Sequence, residues 1–148
     1  MDRTTGGAGG TQGLVSTFVA ANGGIMVRKT GTHVIQVYGG SAANEVNFSS
    51  TGKVFNSQWY HIALIRKSGI FKLYINGIND GSQTVSANIP QQILTMGDDG
   101  QLSGYLMNGF IDEVRIIKGA AAWTTNFTLP TSEYLAPSSY LIPQWTTP

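Results

Sequence analysis

Two adjacent carboxylates, Asp112 and Glu113, are the first place to look for hydrolytic chemistry in this chain. A retaining glycosidase needs two carboxyl groups about 5–5.5 Å apart, one as nucleophile and one as acid/base. The pattern from Tyr105 to Ile117 predicts a strand, and on a strand only residues i and i+2 share a face. Asp112 would share its face with Phe110 and Val114, and Glu113 with Ile111 and Arg115. The two acids then point apart, so this strand offers no retaining pair. Glu113 beside Arg115 reads as an ion pair, and Asp112 as an acceptor for a neighbouring loop. The two histidines, His33 and His61, come without a Ser or Asp in a recognisable nucleophile motif. No catalytic residue is assigned, and the chain is expected not to be an enzyme.

Four oxygen-bearing residues fit a different chemistry. Ca²⁺ takes six to eight oxygen ligands, and Asn79, Asp80, Asp98 and Asp99 lie on what read as two loops. Loops meeting at one end of a sandwich could share a calcium ion, with Asp98 and Asp99 the best ligands. The same Asp-Gly and Asp-Asp-Gly strings are also ordinary turn chemistry, so no cofactor is required. Sugar binding asks for an aromatic platform fringed by polar groups, because a pyranose has an apolar face and hydroxyl edges. Tyr38, Tyr74, Tyr105 and Trp123 are the candidate platforms, with Asn126 beside the last.

These residues need elements to hold them. A chain of 148 residues is long enough for one domain with a real core. Charged residues make up 11%, and glycine occurs 19 times. That balance suits short strands and tight turns better than surface helices. The formal net charge is +1, and the basic residues are spread out, so no nucleic-acid footprint is expected. Arg28-Lys29, Arg66-Lys67 and Arg115 with Lys118 read as solvated strand ends. The absence of cysteine removes disulfides, thiolate zinc sites and cysteine nucleophiles together. No apolar run approaches the ~20 residues of a membrane helix, so no membrane insertion is expected.

Short apolar runs alternate with turn residues along the chain. Leu14 to Ala20, Ile25 to Lys29, His33 to Tyr38, Glu45 to Phe48, Trp59 to Arg66, Ile70 to Ile75, Ile93 to Met96 and Tyr105 to Ile117 are the predicted strands. Asn76-Gly77 has the composition of a type I′ hairpin turn, and Asp80-Gly81 predicts a second reversal. In the sixth run, Phe71, Leu73 and Ile75 should face the core, with Ile70, Lys72 and Tyr74 opposite. Only Gly119 to Thr125 could form a helical turn. Residues 1–12 read as a flexible Gly/Thr-rich loop, residues 13–130 as the β-sandwich, and residues 131–148 as an extended Pro-rich tail.

The string Trp59-Tyr60-His61-Ile62-Ala63, with Phe71-Lys72-Leu73-Tyr74-Ile75-Asn76-Gly77 after it, resembles the central hairpin of laminin-G-like, or concanavalin A-like, lectin/glucanase jelly rolls. Asn108-Gly109-Phe110-Ile111-Asp112-Glu113-Val114-Arg115-Ile116 looks like the last long strand of that superfamily. The stretch from Lys118 to Thr131, with Trp123 and an Asn126-Phe127-Thr128 close, is similar to the ending of such domains in tailed-phage structural proteins. The resemblance covers roughly residues 12–134 and implies an all-β, antiparallel two-sheet jelly-roll sandwich. It also implies that His61 is a packing residue and that Trp123 anchors the closing segment. Family members usually open with two further strands, and Met1 stands where those would be finishing. The expectation is therefore a sandwich lacking its usual first strands, as a fragment, by divergence, or with strands supplied by another chain.

The resemblance implies a non-enzymatic virion structural or adhesion module: a tail fibre, baseplate or capsid decoration. Its partners would be other virion proteins or copies of itself, with a cell-surface glycan as a further ligand. The alternative is a free carbohydrate-binding domain of a secreted protein. A glycoside hydrolase is the least favoured, because of the carboxylate spacing.

Overall fold

The computed structural model describes residues 10–19, 22–41, 45–55, 57–86, 88–90, 92–98 and 105–132. Most of the expected N-terminal loop and of the C-terminal tail lies outside these residues, as does Asp99. Among the described residues eight strands form: β1 (Gln12–Ser16), β2 (Gly24–Lys29), β3 (Ile35–Gly40), β4 (Val46–Ser49), β5 (Ile62–Lys67), β6 (Ile70–Ile75), β7 (Ile78–Thr84) and β8 (Thr95–Met96). They pair antiparallel into a five-stranded sheet, β4-β3-β2-β1-β8, and a three-stranded sheet, β5-β6-β7. This is the all-β, two-sheet sandwich expected of a jelly roll.

Turn chemistry sets the register of the smaller sheet. The β5–β6 turn places Ser68 and Gly69 at φ of 50° and 77°, and the β6–β7 turn places Asn76 and Gly77 at 51° and 81°. Paired positive φ values match the twist of a two-residue hairpin, which is why Asn-Gly predicts one so well. The core fills the space between the sheets. Val27, Ile35, Val37 and Val46 enter from the larger sheet and meet Phe71 and Leu73 from the smaller, with Val54 from a connection. Phe71 and Leu73 are two residues apart, so the period-2 expectation for this strand holds.

One side of the sandwich is laced by hydrogen bonds. The Asn47 backbone N–H of β4 donates to Gln83 Oε1 of β7 at 2.8 Å, and the Thr51 N–H donates to the Asp80 carbonyl at 3.1 Å. Here the expected reversal at Asp80-Gly81 does not occur. β7 runs through it, and the register slips between Leu73 and Tyr74, so that Asp80 becomes the extra residue of a bulge. A bulge absorbs a turn-like dipeptide without ending the strand.

On the other side the expected strand from Tyr105 to Ile117 does not form. Tyr105 and Met107 touch the larger sheet, through Gly13 N–H to the Tyr105 carbonyl at 2.7 Å and Met107 N–H to the Gly97 carbonyl at 2.8 Å. Beyond them, residues 110–117 pair with no strand among the described residues. Alternation creates a strand only where an edge supplies a ladder, and here local bonding wins. Asp112 Oδ1 accepts the Glu113 N–H at 2.8 Å, and Glu113 sits at φ 52°. Phe110 (83% exposed) and Ile116 (64%) stand in solvent. Gly119 to Thr125 forms bends and no helical turn. Trp59 precedes β5 and is 69% exposed, so the strand begins three residues later than the sequence implies.

Candidate functional site

Each sheet turns one face to the core and one outward, and the candidate platform residues are divided between the two outer faces. On the smaller sheet the outward residues of β6 are Ile70, Lys72 and Tyr74, as strand alternation requires. This face is roofed. Phe127 N–H donates to the Gly77 carbonyl at 2.9 Å, Lys72 Nζ donates to the Thr124 carbonyl at 2.8 Å, and Asn126 Oδ1 accepts the Asn79 N–H at 2.9 Å. A Cβ on Gly77 would overlap the Phe127 carbonyl oxygen, so glycine is what allows the roof to approach.

Under the roof the aromatic residues pack on one another. Trp123 stacks on Phe127 with centroids 3.9 Å apart and planes 8° from parallel. His61 meets both edge-on, at 5.8 and 5.6 Å, and Tyr74 lies 5.4 Å from Phe127. Burial lowers the His61 pKa and raises that of Tyr74, since both charged forms lose solvent. The Tyr74 hydroxyl is buried without a hydrogen-bond partner. Tyr74, expected as a sugar platform, is therefore a packing residue, because the closing segment covers the face it points from. Trp123 offers its ring to Phe127, and the Asn126 side-chain oxygen Oδ1 is committed to the β7 backbone. A cavity of about 250 Å³ remains between Trp123 and Ile65, Ile70 and Lys72.

On the outer face of the larger sheet Ser16 and Met26 are buried, while the residues beyond them toward Arg28 stay partly exposed. Arg28 of β2 and Gln36 of β3 are directly paired, and Tyr38 follows on the same face. Arg28 Nε donates to Gln36 Oε1 at 2.9 Å, and Gln36 Nε2 donates to Asn47 Oδ1 at 2.9 Å. The guanidinium carbon lies 5.5 Å from the Tyr38 ring centre and 6.0 Å from that of Tyr105. Phe18 supports Tyr38 from behind in an edge contact at 5.3 Å. Arg28, Gln36, Tyr38 and Tyr105 are all half-buried and Asn47 is exposed. Two of the expected platform residues thus converge, from positions 67 apart in sequence, on a cation and two amides. Aromatic surface beside a fixed row of polar groups is what a pyranose requires.

The family model of the concanavalin A-like lectin/glucanases superfamily matches residues 4–124. The chain belongs to this superfamily. No curated protein matches this lectin/glucanase-like chain in sequence. Among solved structures, an S-layer domain-containing protein from Clostridium thermocellum is similar at 18% identity, with a TM-score of 0.33 over 80% of this chain and 60% of that one.

The expected calcium ligands of this lectin/glucanase-like domain do not lie on two loops. Asn79 and Asp80 belong to β7, where the bulge turns Asp80 toward the 51–52 turn. Its carboxylate accepts the Gly52 N–H at 2.9 Å and the Thr51 hydroxyl, while Asn79 Oδ1 accepts the Gly81 N–H at 3.2 Å. Asp80 serves the seam between the sheets, and Asn79 braces the bulge within its own strand. Asp98 follows β8, and no group of three or more His, Asp or Glu able to hold a metal occurs among the described residues. Asp112 and Glu113 are both exposed and off any strand, so strand alternation no longer describes their orientation. Three site residues escaped the sequence reading. Arg28 is no solvated strand end, and Gln36 and Asn47 carry no local signal; cross-strand register is what finds all three.

Proposed function

We propose that this chain is a non-enzymatic adhesion and assembly module of a virion or similar surface assembly, which holds a glycan on the outer face of its larger sheet. The observation that carries the reading is the convergence of Tyr38 and Tyr105 on Arg28, Gln36 and Asn47, all half-buried or exposed, whereas Tyr74 on the opposite face is fully buried. The virion setting is supported by the resemblance of Lys118 to Thr131 to the ending of phage structural domains. The assembly role is supported by Phe110, Ile111, Val114, Ile116 and Ile117, five exposed apolar side chains within eight residues of chain. Copies of the chain or other virion proteins would cover them. No metal takes part in this reading, and a melting temperature unmoved by excess chelator is expected.

The test joins location to binding. Copurification with particles at fixed stoichiometry, and glycan-array signal lost on Tyr105→Ala, are the expected results. Sugar binding with no particle association would place the domain in a secreted protein instead. Glycoside cleavage abolished by Asp112→Asn or Glu113→Gln would overturn the non-enzymatic reading.

A further inference from the structure

The strands of the larger sheet, β1 to β4 and β8, carry two charged residues, Arg28 and Lys29, and both are positive. Glu45, in the connection before β4, is engaged by the Ser41 backbone N–H and by its hydroxyl at 2.7 Å. Arg28 is therefore a half-buried cation in a sheet whose own strands supply no carboxylate. Its Nε is used by Gln36, which holds the guanidinium plane, and no acceptor among the described residues takes its terminal amino groups. Partial burial of a cation without a counter-charge is unfavourable, and the rings of Tyr38 and Tyr105 offset part of that through cation–π attraction. What the arrangement still lacks is an anion, which a guanidinium fork receives through two parallel hydrogen bonds.

Resting on the glycan reading above, we infer that the ligand is an acidic sugar, whose carboxylate or sulfate is taken by the terminal amino groups of Arg28 while its ring lies against Tyr38 or Tyr105. A free inorganic anion would need no aromatic surface, and a neutral sugar would leave the guanidinium unanswered. Gln36 then positions the fork, and Asn47, bonded to Gln36, extends the polar row along which a second residue of the chain can lie.

Binding of the full chain is measured by calorimetry to four probes of equal length: oligogalacturonate, its methyl ester, sulfated galactan and unsulfated galactan. At least one charged probe should bind about tenfold or more tighter than its neutral counterpart, the scale of one charge-assisted contact. Carboxylate preference identifies a uronate-type ligand and sulfate preference a sulfated one. Arg28→Gln should erase the preference, Arg28→Lys should keep a reduced one, and Lys29→Ala should leave it intact. Melting curves on each variant check that it is folded. Equal binding of charged and neutral probes overturns the acidic-sugar inference while the glycan reading stands. So does a preference that survives Arg28→Gln, or one that falls equally with Lys29→Ala. Failure of all four probes to bind, with glycan-array signal also absent, removes both.

Discussion

Tyr74 on the smaller sheet and Tyr38 on the larger one occupy equivalent places: each points outward from a strand with a partner on both sides. Tyr74 ends fully buried beneath Phe127, whereas Tyr38 stays half-open beside Arg28. The strands do not make this difference, since both sheets alternate in the same way. It comes from the chain after β8, which leaves Tyr105 at the margin of one face and then crosses to lay Trp123 and Phe127 over the other. A roof converts a potential platform into core. On the other face Tyr38, Arg28 and Gln36 remain partly exposed.

Lifting the roof should have the largest effect. Gly77→Val places a Cβ on the Phe127 carbonyl at a φ of 81°. It is expected to lower stability by about 3 kcal/mol or more in urea denaturation. Truncation on the two faces should then separate stability from binding. Trp123→Ala is expected to lose about 2 kcal/mol of stability through its lost stack, with glycan affinity retained. Tyr105→Ala should do the reverse, changing stability by less than about 1 kcal/mol and abolishing detectable glycan binding. If Trp123→Ala removed binding and left stability alone, the assignment of the two faces would be exchanged.

A subtler change tests how dry the roofed face is. The Tyr74 hydroxyl is buried and unsatisfied, so Tyr74→Phe should be neutral or stabilising by up to about 1 kcal/mol. Its raised pKa means that the unfolded chain releases this proton first, near the ordinary value of 10.0. Stability should therefore fall as pH rises through that value, and the fall should be shallower in the phenylalanine variant.

Much of the fold was legible, because its signals are local. The alternation of Phe71, Leu73 and Ile75 and the positive-φ pair Asn76-Gly77 are decided within a few residues of chain. What escaped depends on partners distant in sequence. Asp80-Gly81 reads as a turn until Thr51 and Gly52 arrive to hold it as a bulge. Phe110 to Ile117 reads as a strand until the missing ladder shows. The site divided along the same line: Tyr38 and Tyr105 were identifiable as candidate aromatic platforms, but only the β2–β3 register reveals that Arg28 and Gln36 stand beside Tyr38. Tyr74 and Trp123 carried the same local signal and were lost to the roof.

The smallest effect concerns His61, which the roof partly removes from water. Desolvation by Trp123 and Phe127 disfavours its imidazolium, so its folded pKa lies below the ordinary 6.5. Below that ordinary value the unfolded chain takes up a proton that the folded chain resists. The stability His61 contributes is therefore complete above pH 6.5 and is lost as pH falls toward the folded value. A melting temperature that declines from pH 7.5 to pH 5 is expected, with a shallower decline in His61→Gln. Since the shift arises from the roof, Trp123→Ala should flatten the same decline, while Tyr38→Ala on the larger sheet should leave it unchanged. An equal flattening by Tyr38→Ala would mean that the imidazole senses the whole fold rather than its cover, and the two faces would not be energetically separate.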